Sequence, residues 1–109
     1  MNRTLSACVF AAIAMAPLAV QADGPIAVTL KDHKFSPAEI HVKANAVALL
    51  SVSNQDATVE EFDSNALKVE KVIAAHDTGL VRLRPLAPGR YPFMGEYHAD
   101  TAQGVVVAE

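Results

Sequence analysis

The chain is poor in residues that mark several protein classes. It has one cysteine and no tryptophan in 109 residues. A single thiol excludes a disulfide framework and any metal site built from several cysteines. Five glycines and six prolines, scattered along the chain, exclude a collagen-like or low-complexity protein. The net charge of −3 gives no reason to expect nucleic acid or an anionic membrane surface as a partner.

One long hydrophobic run stands near the start of the chain. Leu5–Val20 carries no charge, Arg3 precedes it, and it leads into the triplet Val20-Gln21-Ala22. A basic start, an apolar stretch and a small-residue cleavage site are typical of a secretory signal peptide. We therefore predict a cleaved signal peptide over residues 1–22, export to the periplasm, and one mature domain over residues 23–109. The alternative is a retained membrane anchor, for which the run is short.

The only cysteine lies inside this run. Leu5-Ser6-Ala7-Cys8 has the local pattern of a bacterial lipoprotein site. Lipidation there would leave no apolar stretch before the cleavage point, so we reject it. The predicted mature domain then has no cysteine and no segment that inserts into the membrane, and its apolar core alone must stabilise it.

Short β-rich segments alternate with turn residues across the predicted mature domain. Turn signals about every 8–12 residues predict an all-β fold, a β-sandwich of about seven strands. The predicted strands are Ile26–Lys31, Ile40–Lys43, Val47–Ser53, Val69–Ile73, Leu80–Leu83, Tyr91–Met94 and Gly104–Ala108, with a single helical turn over Asp63–Lys68. The predicted core is Val28, Leu30, Phe35, Ile40, Val42, Val47, Leu49, Phe62, Val72, Val81, Leu83, Leu86, Tyr91, Phe93, Val105 and Val107.

The segment before the last strand carries polar side chains suited to chemistry. A strand ends near Phe93, a loop holds Glu96 and His98, and the final strand leaves from Gly104. A loop between two packed strands holds its side chains on a rigid frame, and metal sites are often built in this way.

This segment resembles the cupredoxin family. Gly89, Tyr91 and Phe93 match the strand that leads into the cupredoxin copper loop. Gly95 then stands where cupredoxins have the cysteine ligand, and His98 stands at the position of a histidine ligand. Gln103 stands at the position of the methionine ligand.

The resemblance to cupredoxins extends upstream and implies a Greek-key β-sandwich. Asn54, Asp56 and Phe62 match the family spacing, and Glu60 stands at the position of the first histidine ligand. A blue-copper site needs two histidines and a thiolate, and only His98 of those is present. The remaining carboxylate and imidazole donors suit Cu(II), iron, Mn(II) or Zn(II).

Four separated blocks are similar to a narrower group, the small periplasmic cupredoxin-like proteins that accompany Ftr/Efe-type ferrous-iron permeases. The resemblance implies a role in handling or oxidising iron, with copper or iron as the bound ion, and an iron permease or another periplasmic iron-uptake component as partner. The blocks are Asp32-His33-Lys34-Phe35-Ser36-Pro37, Glu60-Glu61-Phe62-Asp63-Ser64, Glu70-Lys71-Val72 and Gly95-Glu96-Tyr97-His98.

The main predicted ligands are His98, Glu60, Glu96 and His33. Glu60 shares strand parity with Phe62, and a carboxylate that points toward a core needs a partner. Glu96 is two residues from His98, and His33 lies in the first predicted loop. The alternative for each is an ordinary solvated side chain. Weaker candidates are Gln103, Met94, Glu61 and Glu70, whereas His41 and His76 are predicted bystanders.

Two functions follow from these observations. The first is a metal-binding accessory protein, rather than a stand-alone enzyme, that supports iron uptake by electron or metal transfer. The second is a metal-free β-sandwich that docks onto a membrane permease or a periplasmic partner. The group of histidine and glutamate residues at matching places favours the first.

Overall fold

A computed structural model describes residues 24–109, which form nine strands and one 3-10 turn. The predicted signal peptide, with Cys8, lies outside the described residues. Within residues 24–109, no helix is long and apolar enough to cross a membrane. The strands are β1 (Ile26–Lys31), β2 (Lys34–Ser36), β3 (Glu39–Val42), β4 (Ala48–Asn54), β5 (Glu60–Ser64), β6 (Val69–Ile73), β7 (Thr78–Leu83), β8 (Gly89–Gly95) and β9 (Gln103–Ala108), and the 3-10 turn covers Glu96–His98.

The strands form two sheets that pack face to face as a β-sandwich. One sheet has the order β2-β1-β4-β7 and the other the order β3-β9-β8-β5-β6. Two pairs are parallel, β1 with β4 and β3 with β9, so the chain crosses repeatedly between the sheets. Strands β5 and β8 are neighbours in the second sheet, which brings the two sequence segments with the predicted ligands together.

Three phenylalanines fill the core beneath the end of the sandwich where β8 finishes. Phe62 and Phe93 stack with ring centroids 4.6 Å apart, and Phe35 meets Phe93 edge to face at 5.0 Å. Such aromatic pairs add to the stabilisation that comes from burying apolar surface. All three rings are buried, so the residues at this end of the sandwich pack on a well-ordered aromatic core.

The prediction of an all-β sandwich is confirmed, with nine strands in the described residues rather than seven. Lys34–Ser36 and Glu60–Ser64 are the additional strands. The predicted helical turn at 63–68 is wrong at its start, because Asp63 and Ser64 continue β5. Only Asn65–Lys68 turns, closed by the Lys68 N–H that donates to the Asn65 carbonyl at 3.3 Å.

Three predicted core residues are wrong because the strand register differs by one position. Val47 and Leu49 are exposed by 49% and 39%, while Leu50 and Val52 are fully buried. Consecutive side chains of a strand face opposite sides, so a shift of one residue exchanges the faces. Val72 is likewise exposed, at 56%, and Ile73 takes its place in the core.

In β9 the same exchange leaves Val105 and Val107 half-buried, while Val106 and Ala108 line the core. Tyr91 is half-buried and packs against the core from its edge. Every other predicted core residue is buried.

Candidate metal site

A buried carboxylate meets an imidazole at one end of the sandwich. Glu60, the first residue of β5, is 1% exposed. Its Oε2 lies 2.5 Å from Nδ1 of His98, which closes the 3-10 turn after β8. An ionised carboxylate only accepts hydrogen bonds, so Nδ1 of His98 carries the proton of this short bond. In the tautomer with the proton on Nδ1, the other ring nitrogen, Nε2, carries the lone pair.

The second oxygen of Glu60 accepts two backbone hydrogen bonds. The N–H of Glu61 donates to Oε1 at 3.0 Å, and the N–H of Tyr97 donates to it at 2.9 Å. Three donors therefore satisfy a charge that would otherwise be costly to bury. Glu60 and Phe62 lie on the same face of β5, so the Glu60 side chain points inward as the sequence predicted. His98 is the partner of its buried carboxylate.

His33 lies face to face with His98. The ring centroids are 3.6 Å apart and the planes differ by 11°. Nε2 of His33 also lies 3.4 Å from the Thr58 hydroxyl. The structure thus brings together His98, Glu60 and His33, three of the four main candidates.

A two-residue turn between β1 and β2 places His33 there. Both turn residues, Asp32 and His33, have positive φ, at 52° and 57°, a region that costs energy for residues with a side chain. The Asp56 carboxylate offsets this by accepting the N–H of Asp32 at 2.7 Å and that of His33 at 3.0 Å. Burial raises the pKa of Asp56, but these backbone donors, with the nearby imidazoles of His33 and His98, outweigh it and lower the pKa.

The buried side chain of Asn54 fixes the loop that carries Asp56. Its Nδ2 donates to the carbonyls of Thr58, Ile73 and Ala74, and its Oδ1 accepts the N–H of Asp56 at 3.0 Å.

In the sequence Asn54 and Asp56 stood out only through the resemblance to cupredoxins. A two-residue polar gap between two β-rich segments at Asp32 and His33 was the signal that would have predicted the hairpin turn.

The carboxylate of Glu96, the fourth main candidate, hydrogen-bonds to Glu61 and is not brought to the Glu60–His98 pair. Glu96 is exposed, and a hydrogen bond with Glu61, then the charges of Glu61 and Asp63, raise its pKa. Carboxylate oxygens of Glu61, Asp63 and Glu70 lie within 4.8 Å of one another beside it. Two of the weaker candidates, Glu61 and Glu70, therefore belong to an acidic patch on the outer face of β5 and β6.

The remaining candidates, Gln103 and Met94, and the predicted bystander His41 lie away from the pair, whereas the backbone N–H of the exposed His76 donates to the Asp56 carbonyl at 3.1 Å. The Gln103 amide donates to the Ala99 carbonyl at 2.9 Å and is exposed. Met94 is 39% exposed on the face opposite to Phe93. His41 is exposed, as predicted, and its Nδ1 lies 2.7 Å from Oε1 of Glu109 at the far side of the fold.

These donors fit a carboxylate–imidazole metal site and do not fit a thiolate site. Ligand atoms about 2.0–2.1 Å from one ion and at right angles lie about 2.9 Å apart. The 2.5 Å between Oε2 of Glu60 and Nδ1 of His98 is a few tenths of an ångström shorter than that, because a hydrogen bond joins the two atoms in the metal-free protein. Gly95 offers no sulfur, and a Cβ there would lie 2.7 Å from Cδ of Glu60.

The stacked ring of His33 covers His98 and does not chelate with it in this conformation. An imidazole binds a metal along its nitrogen lone pair, in the plane of the ring. The two ring planes are nearly parallel, and the ring centroids lie 3.6 Å apart. One ion therefore cannot lie in the planes of both rings at bonding distance from a nitrogen of each. His33 becomes a third ligand only if its ring rotates out of the stack.

Known proteins with a similar sequence or fold agree with this architecture. The cupredoxin-like domain family matches residues 4–108. An uncharacterized protein of Rickettsia prowazekii (strain Madrid E) is 40% identical over 82 residues, 75% of this chain and 66% of its own length. The chain thus spans just under two thirds of that relative.

Solved structures with the same fold include two from copper proteins. The metal-binding domain of the Cu(I)-exporting P-type ATPase CopA of Streptococcus pneumoniae D39, solved with Cu(I), has a TM-score of 0.70 at 15% identity, over 78% of this chain and 84% of the domain. A Cu(I) mutant of amicyanin has a TM-score of 0.62 at 25% identity, over 84% of this chain and 88% of amicyanin. With the family match over nearly its whole length, the chain belongs to the cupredoxin-like domain family.

Proposed function

We propose that this protein binds one copper or iron ion at the Glu60–His98 pair and supports iron uptake in the periplasm by passing on an electron or the ion. The observation that carries the metal site is the buried carboxylate of Glu60, which is aimed at His98 at 2.5 Å. Proteins seldom bury a charge of this kind without a structural or functional partner.

The chemistry of the donors favours Cu(II) or an iron ion over Cu(I). Carboxylate oxygen and imidazole nitrogen are harder ligands than thiolate or thioether sulfur, which stabilise Cu(I). The CopA metal-binding domain and amicyanin have this fold and were solved with Cu(I), which supports the proposal that a domain of this type holds a metal ion. When bound, either metal would supply a one-electron redox couple.

The residues around the pair suit an exchangeable ion. The His98 side chain is 25% exposed, so its ring edge reaches solvent while the Glu60 carboxylate stays dry. The neighbouring acidic patch of Glu61, Asp63 and Glu70 makes the local potential negative and attracts cations. An ion that binds between Nδ1 of His98 and Oε2 of Glu60 displaces the proton of their hydrogen bond to solvent.

The iron-uptake role rests on the four blocks that resemble accessory proteins of Ftr/Efe-type permeases. Such a permease, or another periplasmic iron-uptake component, is the proposed partner. A single mononuclear site passes one electron at a time, which suits a carrier better than an oxidase that reduces oxygen to water. The metal-free docking protein is the alternative.

Metal titration of the purified, metal-stripped protein tests this proposal. Cu(II) is added in air and Fe(II) under anaerobic conditions, binding of both is followed by calorimetry, and binding of Cu(II) also by electron paramagnetic resonance. We expect one ion per chain and loss of binding in His98→Ala. His41→Ala is the matched control, because it removes an exposed imidazole that also contacts a glutamate.

The preferred metal separates a copper relay from an iron carrier. Absence of binding by a folded wild-type protein would refute the metal site and leave the docking protein. Equal loss of binding in both histidine variants would place the ion elsewhere.

A further inference from the structure

Gly95 is buried at the end of β8, directly against the Glu60 side chain. A Cβ on Gly95 would lie 2.7 Å from Cδ and 3.0 Å from Cγ of Glu60, and 2.8 Å from Cβ of Ala102. Distances below 3.0 Å between such atoms require a shift of the neighbour. The space that a side chain at position 95 would fill is already occupied by the carboxyl end of Glu60.

The backbone of Gly95 gives no other reason for a glycine. Its φ of −89° and ψ of 107° are ordinary extended values that every residue adopts. Its N–H donates to the Ala102 carbonyl at 2.8 Å, and it pairs with Phe62 across β5 and β8. The glycine is therefore required for space and not for conformation.

We propose that Gly95 determines which ligand this metal site presents, because its missing side chain makes the cavity in which the Glu60 carboxylate is held against His98. The inference rests on the proposed function, since it explains why a carboxylate oxygen, and not another atom, is the ligand at that same site. Any side chain at position 95 pushes the carboxylate away from its three hydrogen-bond donors. Gly95 is thus a positioning residue that acts through Glu60.

Ala102 is the other neighbour, and it has little freedom to move. It is fully buried, and its carbonyl accepts the Gly95 N–H. Its backbone N–H donates to the His98 carbonyl at 2.8 Å, which ties it to the 3-10 turn. Displacement of Glu60 therefore relieves two of the three close contacts, and the contact with the Ala102 Cβ adds a cost that does not depend on Glu60.

Gly95→Ala tests the inference in the metal-free protein. We expect the Nδ1–H proton signal of His98, shifted downfield by its short bond to Glu60, to move upfield or disappear in the NMR spectrum. Gly79→Ala is the matched control. It adds a Cβ to another buried strand glycine, 2.9 Å from Cγ1 of Ile73, and should leave the His98 signal in place.

A double-mutant cycle identifies the neighbour that resists the new Cβ. Gly95→Ala should raise the unfolding equilibrium constant by a smaller factor in a Glu60→Ala background than in the wild type. An Ala102→Gly background should reduce the factor less than the Glu60→Ala background does, because it removes one of the three close contacts instead of two. Relief by Ala102→Gly alone, or equal factors in all backgrounds, would overturn the inference.

If Gly95→Ala does not fold, the double variant still tests whether Glu60 is the neighbour that resists the new Cβ. Glu60→Ala/Gly95→Ala should then fold, since truncation of Glu60 removes two of the three close contacts. Failure of this double variant beside a folded Glu60→Ala would place the obstruction at Ala102 and refute the inference.

Metal titration separates this inference from the proposed function. If the wild type binds Cu(II), Gly95→Ala should bind it about 10- to 100-fold more weakly, as for loss of a group that orients a ligand. Unchanged affinity and an unchanged paramagnetic resonance spectrum would overturn the inference alone. If the wild type binds no metal, the proposed function fails, while the NMR signal and the cycle still report whether Gly95 positions Glu60.

Discussion

Removing the Asp56 carboxylate should destabilise the fold and release His33 from His98. The carboxylate accepts two backbone N–H groups from the β1–β2 turn, at 2.7 and 3.0 Å. Hydrogen bonds to a charged group contribute about 1.5–3 kcal/mol each when buried, and partial exposure reduces this to about 1 kcal/mol each. The turn's two positive-φ residues also lose their local compensation. We expect Asp56→Ala to lower the free energy of unfolding by about 2–3 kcal/mol.

Urea denaturation at neutral pH measures this loss. Asp77→Ala is a suitable control, because within residues 24–109 the Asp77 carboxylate accepts only the N–H of its neighbour Thr78. It should cost less than about 1 kcal/mol, as a surface change does. In parallel, NMR cross-peaks between the rings of His33 and His98 should weaken in Asp56→Ala and persist in the control.

The pH dependence gives the decisive comparison. The pKa of Asp56 is lowered in the folded protein, so its stabilisation is present above the carboxyl's ordinary pKa of about 4 and is lost as the pH falls through the lowered value. The gap between wild type and Asp56→Ala should therefore narrow in strong acid. A gap that is constant with pH, or an intact ring stack in the variant, would refute the role assigned to Asp56.

Three further outcomes follow from the structure. Glu60→Gln should lower the free energy of unfolding by about 2–4 kcal/mol in urea denaturation, because an amide cannot accept all three donors; an unchanged value would contradict the bonding of Glu60. Leu50→Ala should cost about 2–5 kcal/mol in the same assay and Leu49→Ala less than about 1 kcal/mol, and the reverse order would contradict the β4 register. Glu109 raises the pKa of His41, so stabilisation by their contact is present below the ordinary imidazole pKa and lost as the pH rises through the raised value. Glu109→Gln should bring the pKa of His41 back down in an NMR titration, and no change would contradict the contact.

The alternation of β-rich segments and turns was sufficient to predict the fold class but not every register. Strand β4 contains Leu49 and Leu50 in succession, so hydrophobicity alone does not choose its inner face. The choice is made by pairing, since β4 lies between β1 and β7 and the buried faces of the three strands must coincide. Strand β9, with consecutive valines, is ambiguous for the same reason.

The candidate site was predictable only in part. The resemblance to cupredoxins pointed to Glu60 and His98, strand parity supported Glu60, and both lie in the observed pair. The place of Glu96 depends on the 3-10 turn that follows β8, which sends neighbouring side chains in different directions. The close approach of Gly95 to Glu60 joins residues on two adjacent strands, and nothing in a single sequence reports a distance between them.

The parallel pairing of β1 with β4 and of β3 with β9 has a consequence for folding kinetics. Each pair joins segments that are far apart along the chain, and the Glu60–His98 contact spans 38 positions. Chains dominated by such non-local contacts fold slowly, because loop closure must precede the contacts that compensate for it. Glu60 and His98 therefore come together only when β5 and β8 have paired, and under the proposed function an ion bound by both would mark a molecule in which this part of the sandwich has folded.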